Sequence, residues 1–315
     1  MSIILSIART TIGEAVRRRI LLVILLIGIL FLVIAPSLNM LTPRQETTVL
    51  KGLTLGVIQI TSAVIALVLT VYMLPNEVER RTIYTILSKP VQRWQFLIGK
   101  YLGAVGALGL MIAMMTFTLL FVYAVMQSQE KPAAPIALFI VTLIALVALT
   151  NKLKDKTSGQ VVIAVLAGGL MATLYWIGMA TGQLETFSDF GKTAAMFFIQ
   201  MCLLAAVGVF FSTFASPVVN FFLSGGVYMI GSLFNTLFDA VAENADMSPF
   251  AKGAVQLLQS IIPNFQNFSV QNTTVNPNQF IRGEFNHYMN LTGYGVLYIS
   301  ILLILGIIIF DRKEV

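Results

Sequence analysis

The chain has 315 residues, 57% of them hydrophobic and 11% charged, against roughly 25% charged residues in an ordinary soluble domain. That balance excludes a soluble globular protein and points to an all-α polytopic membrane protein, where glycine is tolerated because helices gain from close approach. One cysteine, Cys202, and one histidine, His287, allow no intrachain disulfide and leave too few soft ligands for a zinc or haem site. The formal net charge of +6 is read as membrane topology before nucleic-acid binding, since cytoplasmic loops collect Lys and Arg.

Residues 1–19 carry Ile3, Ile4, Ile7, Ala8, Thr11, Ile12 and Ala15 at helical spacing. Arg9, Glu14, Arg17, Arg18 and Arg19 are free to stay in water, which predicts an amphipathic helix lying at the membrane interface. The membrane domain then fills residues 20–315. A spanning helix needs about 20 apolar residues. Eight runs qualify: 20–38, 53–74, 101–126, 133–150, 160–180, 194–214, 217–238 and 291–310, none with a charged residue. The fourth is the weakest, being short and opened by Pro132 and Pro135. An even number places both termini on one side. On that pattern the N-terminus, residues 75–100, the turn 151–156 and the C-terminal tail hold 14 of the 20 Lys and Arg residues, so both ends are expected in the cytoplasm.

Three extramembrane stretches are long enough to hold function, the third being the turn 212–219, which is only just long enough to reverse direction between two spans. In residues 75–100, the charged run 77–81 is followed by Ile83, Ile86 and Leu87 at i, i+3 and i+4, predicting a short amphipathic helix stopped near Pro90. A second amphipathic turn with Arg93, Trp94, Phe96, Leu97 and Lys100 leads into the next span. Residues 239–290 form an acidic outer loop, and the apolar positions of 250–262 predict a helix lying in or dipping into the outer leaflet.

Amides and clustered hydroxyls at depth in the apolar runs are few: Gln59, Thr61, Ser62, Gln200, Asn220 and Asn235. They mark either helix pairing or a translocation path. Gly99, Gly103, Gly106 and Gly109 form a small-residue stripe suited to a helix interface. With no Asp, Glu, Lys, Arg or His in the runs, a proton- or ion-coupled pump has no relay. No acid, base or nucleophile constellation in the spans suggests an intramembrane enzyme. Two strings imitate nucleotide-binding motifs. Gly191-Lys192-Thr193 lacks the first P-loop glycine, because Thr186 stands there, and LSGG at 223–226 lies inside an apolar run.

The stretch NEVERRTIYTILSKPVQRWQFLIGKYLG, residues 76–103, resembles the cytoplasmic signature of type 2 ABC exporter permeases. Weaker similarities lie in ARTTIGEAVRRRILLVILL, in STFASPVVN at 212–220, and in IPNFQNF followed by GVLYISILLILGIIIFDRKEV. The chain departs from the family's pattern at Arg81-Thr82, where many members have Gly-Thr, and in residues 132–182, which add a hairpin to a six-span core. The resemblance implies a transmembrane subunit that pairs with a second copy or a sibling permease and with separate ABC ATPase subunits, which carry the ATP and Mg; it expects no cofactor on this chain. It implies that Glu77, Glu79, Arg80, Arg81, Thr82, Ile83, Ile86, Leu87, Pro90 and Arg93 form the segment that docks the ATPase. The expected setting is the bacterial cytoplasmic membrane. A scaffold subunit that docks an ATPase without transporting anything is the alternative.

Overall fold

The computed structural model describes residues 3–38, 46–71, 92–127, 184–236, 261–269 and 284–312, together with Phe238, Gly253 and Leu257. Among the described residues every regular element is helical: α1 (Ile3–Arg17), α2 (Arg19–Leu38), α3 (Glu46–Val71), α4 (Arg93–Gln127), α5 (Leu184–Ser212), α6 (Pro217–Ser232), a short 3-10 turn (Gln266–Phe268) and α7 (Glu284–Arg312). Four are long and apolar enough to cross a membrane: α3, α4, α5 and α7. The bent pair α1–α2, turned by 65°, makes a fifth if it counts as one broken span. The apolar runs at 133–150 and 160–180, the segment 77–90 and most of the outer loop, including nearly all of 250–262, lie outside the described residues.

One expected span is shorter than its apolar run. Residues 217–238 are apolar throughout, yet α6 ends at Ser232, because Leu233 takes φ −104° and ψ 17° and leaves the helical ladder after bonding its N–H to the Met229 carbonyl. Helical geometry resumes at 234–236. The start of α6 follows local chemistry. Pro217 occupies the first turn, where its missing N–H costs nothing, and Ser216 before it is extended.

Buried hydroxyls find partners within their own helices, as apolar surroundings require. Thr54, Ser62, Thr70 and Thr116 each donate to the carbonyl four residues back, at 2.7 to 2.9 Å. That leaves helix packing to small residues. At Gly28 on α2 a Cβ would stand 2.8 Å from Thr61 of α3 and from Met115 of α4. At Gly208 on α5 it would stand 2.2 Å from the Thr70 hydroxyl. Without a hydrophobic driving force between helices in lipid, such close approaches carry much of the association. The outward faces stay apolar: Leu26, Leu30 and Phe31 on α2, Val218 and Phe222 on α6, and Val296, Leu297 and Ile304 on α7 are all exposed.

Candidate functional site: the base of α4 and the opposite cap

The amphipathic turn expected at 93–100 is the first part of α4, and two other helices meet there. On one side lies α1. A Cβ at Gly99 would meet Ile7 at 2.8 Å and the Ile4 carbonyl at 3.1 Å. One turn later, a Cβ at Gly103 would meet Thr11 at 2.4 Å and the Ala8 carbonyl at 2.8 Å, and one at Gly106 would meet Ile12 at 2.7 Å. Successive turns match in the same direction, so α1 and α4 run side by side and parallel here. The face of α1 expected to rest on lipid is therefore largely covered by protein: Ala8, Thr11 and Ala15 are buried, while Ile3 and Leu5 remain exposed. The glycine stripe is a helix interface, with the fourth member, Gly109, turned toward Phe198 of α5. Lys100, 4% exposed, pairs with Glu14 of α1 at 3.5 Å and lies 5.8 Å from the Phe96 ring centroid.

On the other side lies the end of α7. Arg93 donates from Nη1 to the carbonyl oxygens of Phe310 and Asp311, at 3.1 and 3.2 Å. Both belong to the last four residues of α7, whose carbonyls have no partner inside the helix and carry its negative pole. Phe96 stacks on Phe310 with centroids 6.4 Å apart, and a Cβ at Gly306 would lie 3.5 Å from Leu97. Here the numbering runs in opposite senses, so α7 is antiparallel to α4. The starts of α1 and α4 and the end of α7 are thus gathered at one end of the bundle. Trp94, half exposed, donates its indole N–H to the Gln92 side chain. Of the residues singled out for ATPase docking, Arg93 alone is described, and its guanidinium is engaged with α7; the other nine lie outside the described residues.

At the opposite end the polar residues form a different kind of site. Gln59 on α3 donates through Nε2 to Gln200 Oε1 on α5 at 3.2 Å, and Gln200, fully buried, donates to the Phe265 carbonyl at 3.0 Å. Gln59 also shares a hydrogen bond with the Tyr228 hydroxyl of α6. The turn 262–268 is seated on this relay. Phe265 and Phe268 are fully buried; Phe265 meets Tyr228 edge-on at 5.3 Å and Phe268 lies 6.1 Å from Tyr294. Two glycines make room: a Cβ at Gly231 would stand 2.5 Å from Phe265 and from the Pro263 carbonyl, and one at Gly295 would stand 3.3 Å from Phe268. Asn264 donates its backbone N–H to the Tyr294 hydroxyl at 2.9 Å and its side-chain amide to Asn235 at 3.1 Å. Gln200 lies six residues inside its apolar run, about 9 Å at helical rise, so the turn reaches past the end of the apolar zone. The sequence marked IPNFQNF as a resemblance but not as a plug; its two phenylalanines flanking amides were the available signal.

The remaining polar residues at depth hold helices together. Asn220 donates to the Gly208 carbonyl at 3.1 Å and accepts from Ser224 at 2.8 Å, fastening α6 to α5. Thr61 packs against Gly28, and Ser62 bonds its own helix at Ile58 and Gln59. Asn235, expected inside a span, lies exposed beyond the end of α6 and accepts from Asn264. Both nucleotide-motif imitations are helical. Gly191 and its neighbours sit within α5, with Lys192 paired to Asp189 at 3.4 Å, and LSGG lies within α6. Among the glycines of α6, Gly231 serves the turn and Gly225 approaches Leu67 at 3.8 Å. Gly226 faces open space.

An all-helical bundle with long apolar helices, outward apolar faces and buried neutral amides defines a multi-pass membrane protein. The family model of the ABC-2 family transporter proteins matches residues 5–315, and the chain belongs to that family: it is an ABC-2 type permease, a transmembrane component of an ABC transporter. No protein of curated function matches it.

Proposed function

We propose that this chain is the permease of an ATP-driven exporter in a bacterial cytoplasmic membrane, with both termini in the cytoplasm. It works as a pair, with a second copy or a sibling permease, and with separate ABC ATPase subunits that bind ATP and Mg. Residues 77–93 dock into a groove of the ATPase, with Glu77, Glu79, Arg80 and Arg81 setting partner choice and Ile83 and Ile86 filling the groove. The observation that supports this most directly is the construction of α4. The segment with the family's signature leads straight into a helix whose base is fastened to both terminal helices, as transmission from a soluble engine to the bundle requires. Gln59 and Gln200 are the polar pair that a route through the bundle would pass, because they link α3, α5 and the buried turn.

The test is co-purification with an ABC ATPase co-expressed with this chain. Truncating a central anchor in such a groove typically costs about 2 kcal/mol or more, whereas a rim charge acts mainly on association and its salt dependence. Ile83→Asp or Ile86→Asp is expected to abolish co-purification while the permease still inserts, and Arg81→Ala to weaken it mainly at raised salt. Retention of a fully coupled ATPase by both Asp variants would sink the reading. An ATPase that binds normally while no substrate moves would favour the scaffold alternative.

A further inference from the structure

From the contacts at the base of α4 we infer that Arg93 is a positioning residue that latches the end of α7 to α4, so that the end of α7 moves with the base of α4 as one body. This rests on the reading of residues 77–93 as the ATPase contact, but the latch itself is a property of this chain alone.

Three contacts carry the inference. Arg93 spends two hydrogen bonds from one nitrogen on the carbonyls of Phe310 and Asp311, acceptors that the helix cannot satisfy itself. A guanidinium at that pole is held by the helix dipole as well as by the hydrogen bonds. Phe96, one turn further along α4, stacks on Phe310, and Leu97 fills the notch left by Gly306. Polar cap, ring stack and notch together span more than one turn of each helix, which resists sliding as well as separation. The rest of α7 packs along α5, with a Cβ at Gly295 3.0 Å from Ile199 and Tyr294 accepting from Asn264, while Phe285, Met289, Val296, Leu297, Ile301 and Ile304 face outward. The Arg93 cap is what joins the end of this helix to α4.

The experiment uses spin labels at Gln92 and Arg312, both exposed, in a full-length chain with Cys202 replaced by Ser. Labelled chains are diluted with unlabelled ones so that only distances within a chain are read, in lipid nanodiscs with the co-expressed ATPase. The expected result is one narrow distance distribution, with the same mean in the nucleotide-free and vanadate-trapped complexes. Arg93→Ala is expected to broaden that distribution with or without the ATPase. Arg93→Lys, which keeps the charge but loses the planar guanidinium, is expected to fall between the two. A mean distance that changes on trapping in the unsubstituted complex overturns the latch, and so does an Arg93→Ala distribution identical to that of the unsubstituted chain. If the ATPase fails to co-purify with the unsubstituted chain, the docking reading fails. The comparison of unsubstituted and Arg93→Ala chains in nanodiscs without ATPase still decides the latch, since it depends on no partner.

Discussion

The two ends of the bundle solve the same problem with different chemistry. At the base of α4 the fastening is charged: Arg93 on the α7 carbonyls and Lys100 on Glu14. At the opposite end it is neutral: two glutamines, asparagines and tyrosine hydroxyls hold the turn 262–268. Depth accounts for the difference. Lys100 stands at the edge of its apolar run and its partner Glu14 is exposed to water, whereas Gln200 lies about 9 Å inside its own run, where a charge would cost about 2.5 to 3.5 kcal/mol at the centre of the bilayer and less toward its edge. Glycine is common to both ends, because in either setting the backbone or ring of a partner must come closer than a Cβ permits.

The comparison can be broken most severely where helices touch without space. Gly208→Val places a branched side chain on Thr70 and beside the carbonyl bonded by Asn220; overpacking of this kind costs about 1 to 3 kcal/mol, and the melting temperature in detergent is expected to fall more than for any other variant named here. Gly103→Val attacks the charged end in the same way by forcing α1 off α4. Limited proteolysis should then cut near the N-terminus faster while the rest of the chain stays protected.

A smaller effect is expected at the neutral end. Gln200→Leu removes two hydrogen bonds and leaves the Phe265 carbonyl without its donor. Inter-helical hydrogen bonds in membranes average about 0.6 kcal/mol and reach about 1.7. The stability loss should lie in that range, and a cysteine placed at Asn267 should react faster with an impermeant thiol reagent. An unchanged labelling rate would mean that the turn is held by Phe265 and Phe268 alone.

Smaller still is the half-buried pair of Lys100 and Glu14. Glu14→Gln is expected to cost about 1 kcal/mol or less, since Glu14 is more than half exposed and an amide oxygen still accepts from the lysine, and the cost should shrink as salt is raised. The lower reference is Gly226→Ala: nothing lies within 4 Å of the added Cβ, and alanine favours a helix interior by about 0.8 to 1.0 kcal/mol in monomeric peptides. A loss of stability there would show that α6 has a neighbour beyond this single chain, such as a second permease copy.

The amino-acid sequence by itself determined the membrane class, six of the apolar helices now described and the family, because a 20-residue apolar run and a charged signature are local properties that need no partner to be recognised. It also offered the glycine stripe on α4 and the amides at Gln59 and Gln200 as interface or path. Only the tertiary structure decided which. The stripe receives α1, whose amphipathic pattern looks the same whether its apolar face meets lipid or another helix, since periodicity records that a face is apolar and not what covers it. Nor could the sequence pair Arg93 with carbonyls more than 200 residues away: backbone acceptors at a helix end are present in every helix and leave no mark in the side-chain pattern. The same holds for Gly231 near the end of α6, whose apolar surroundings in the sequence give no sign that Phe265 and the Pro263 carbonyl are brought against it from a distant loop.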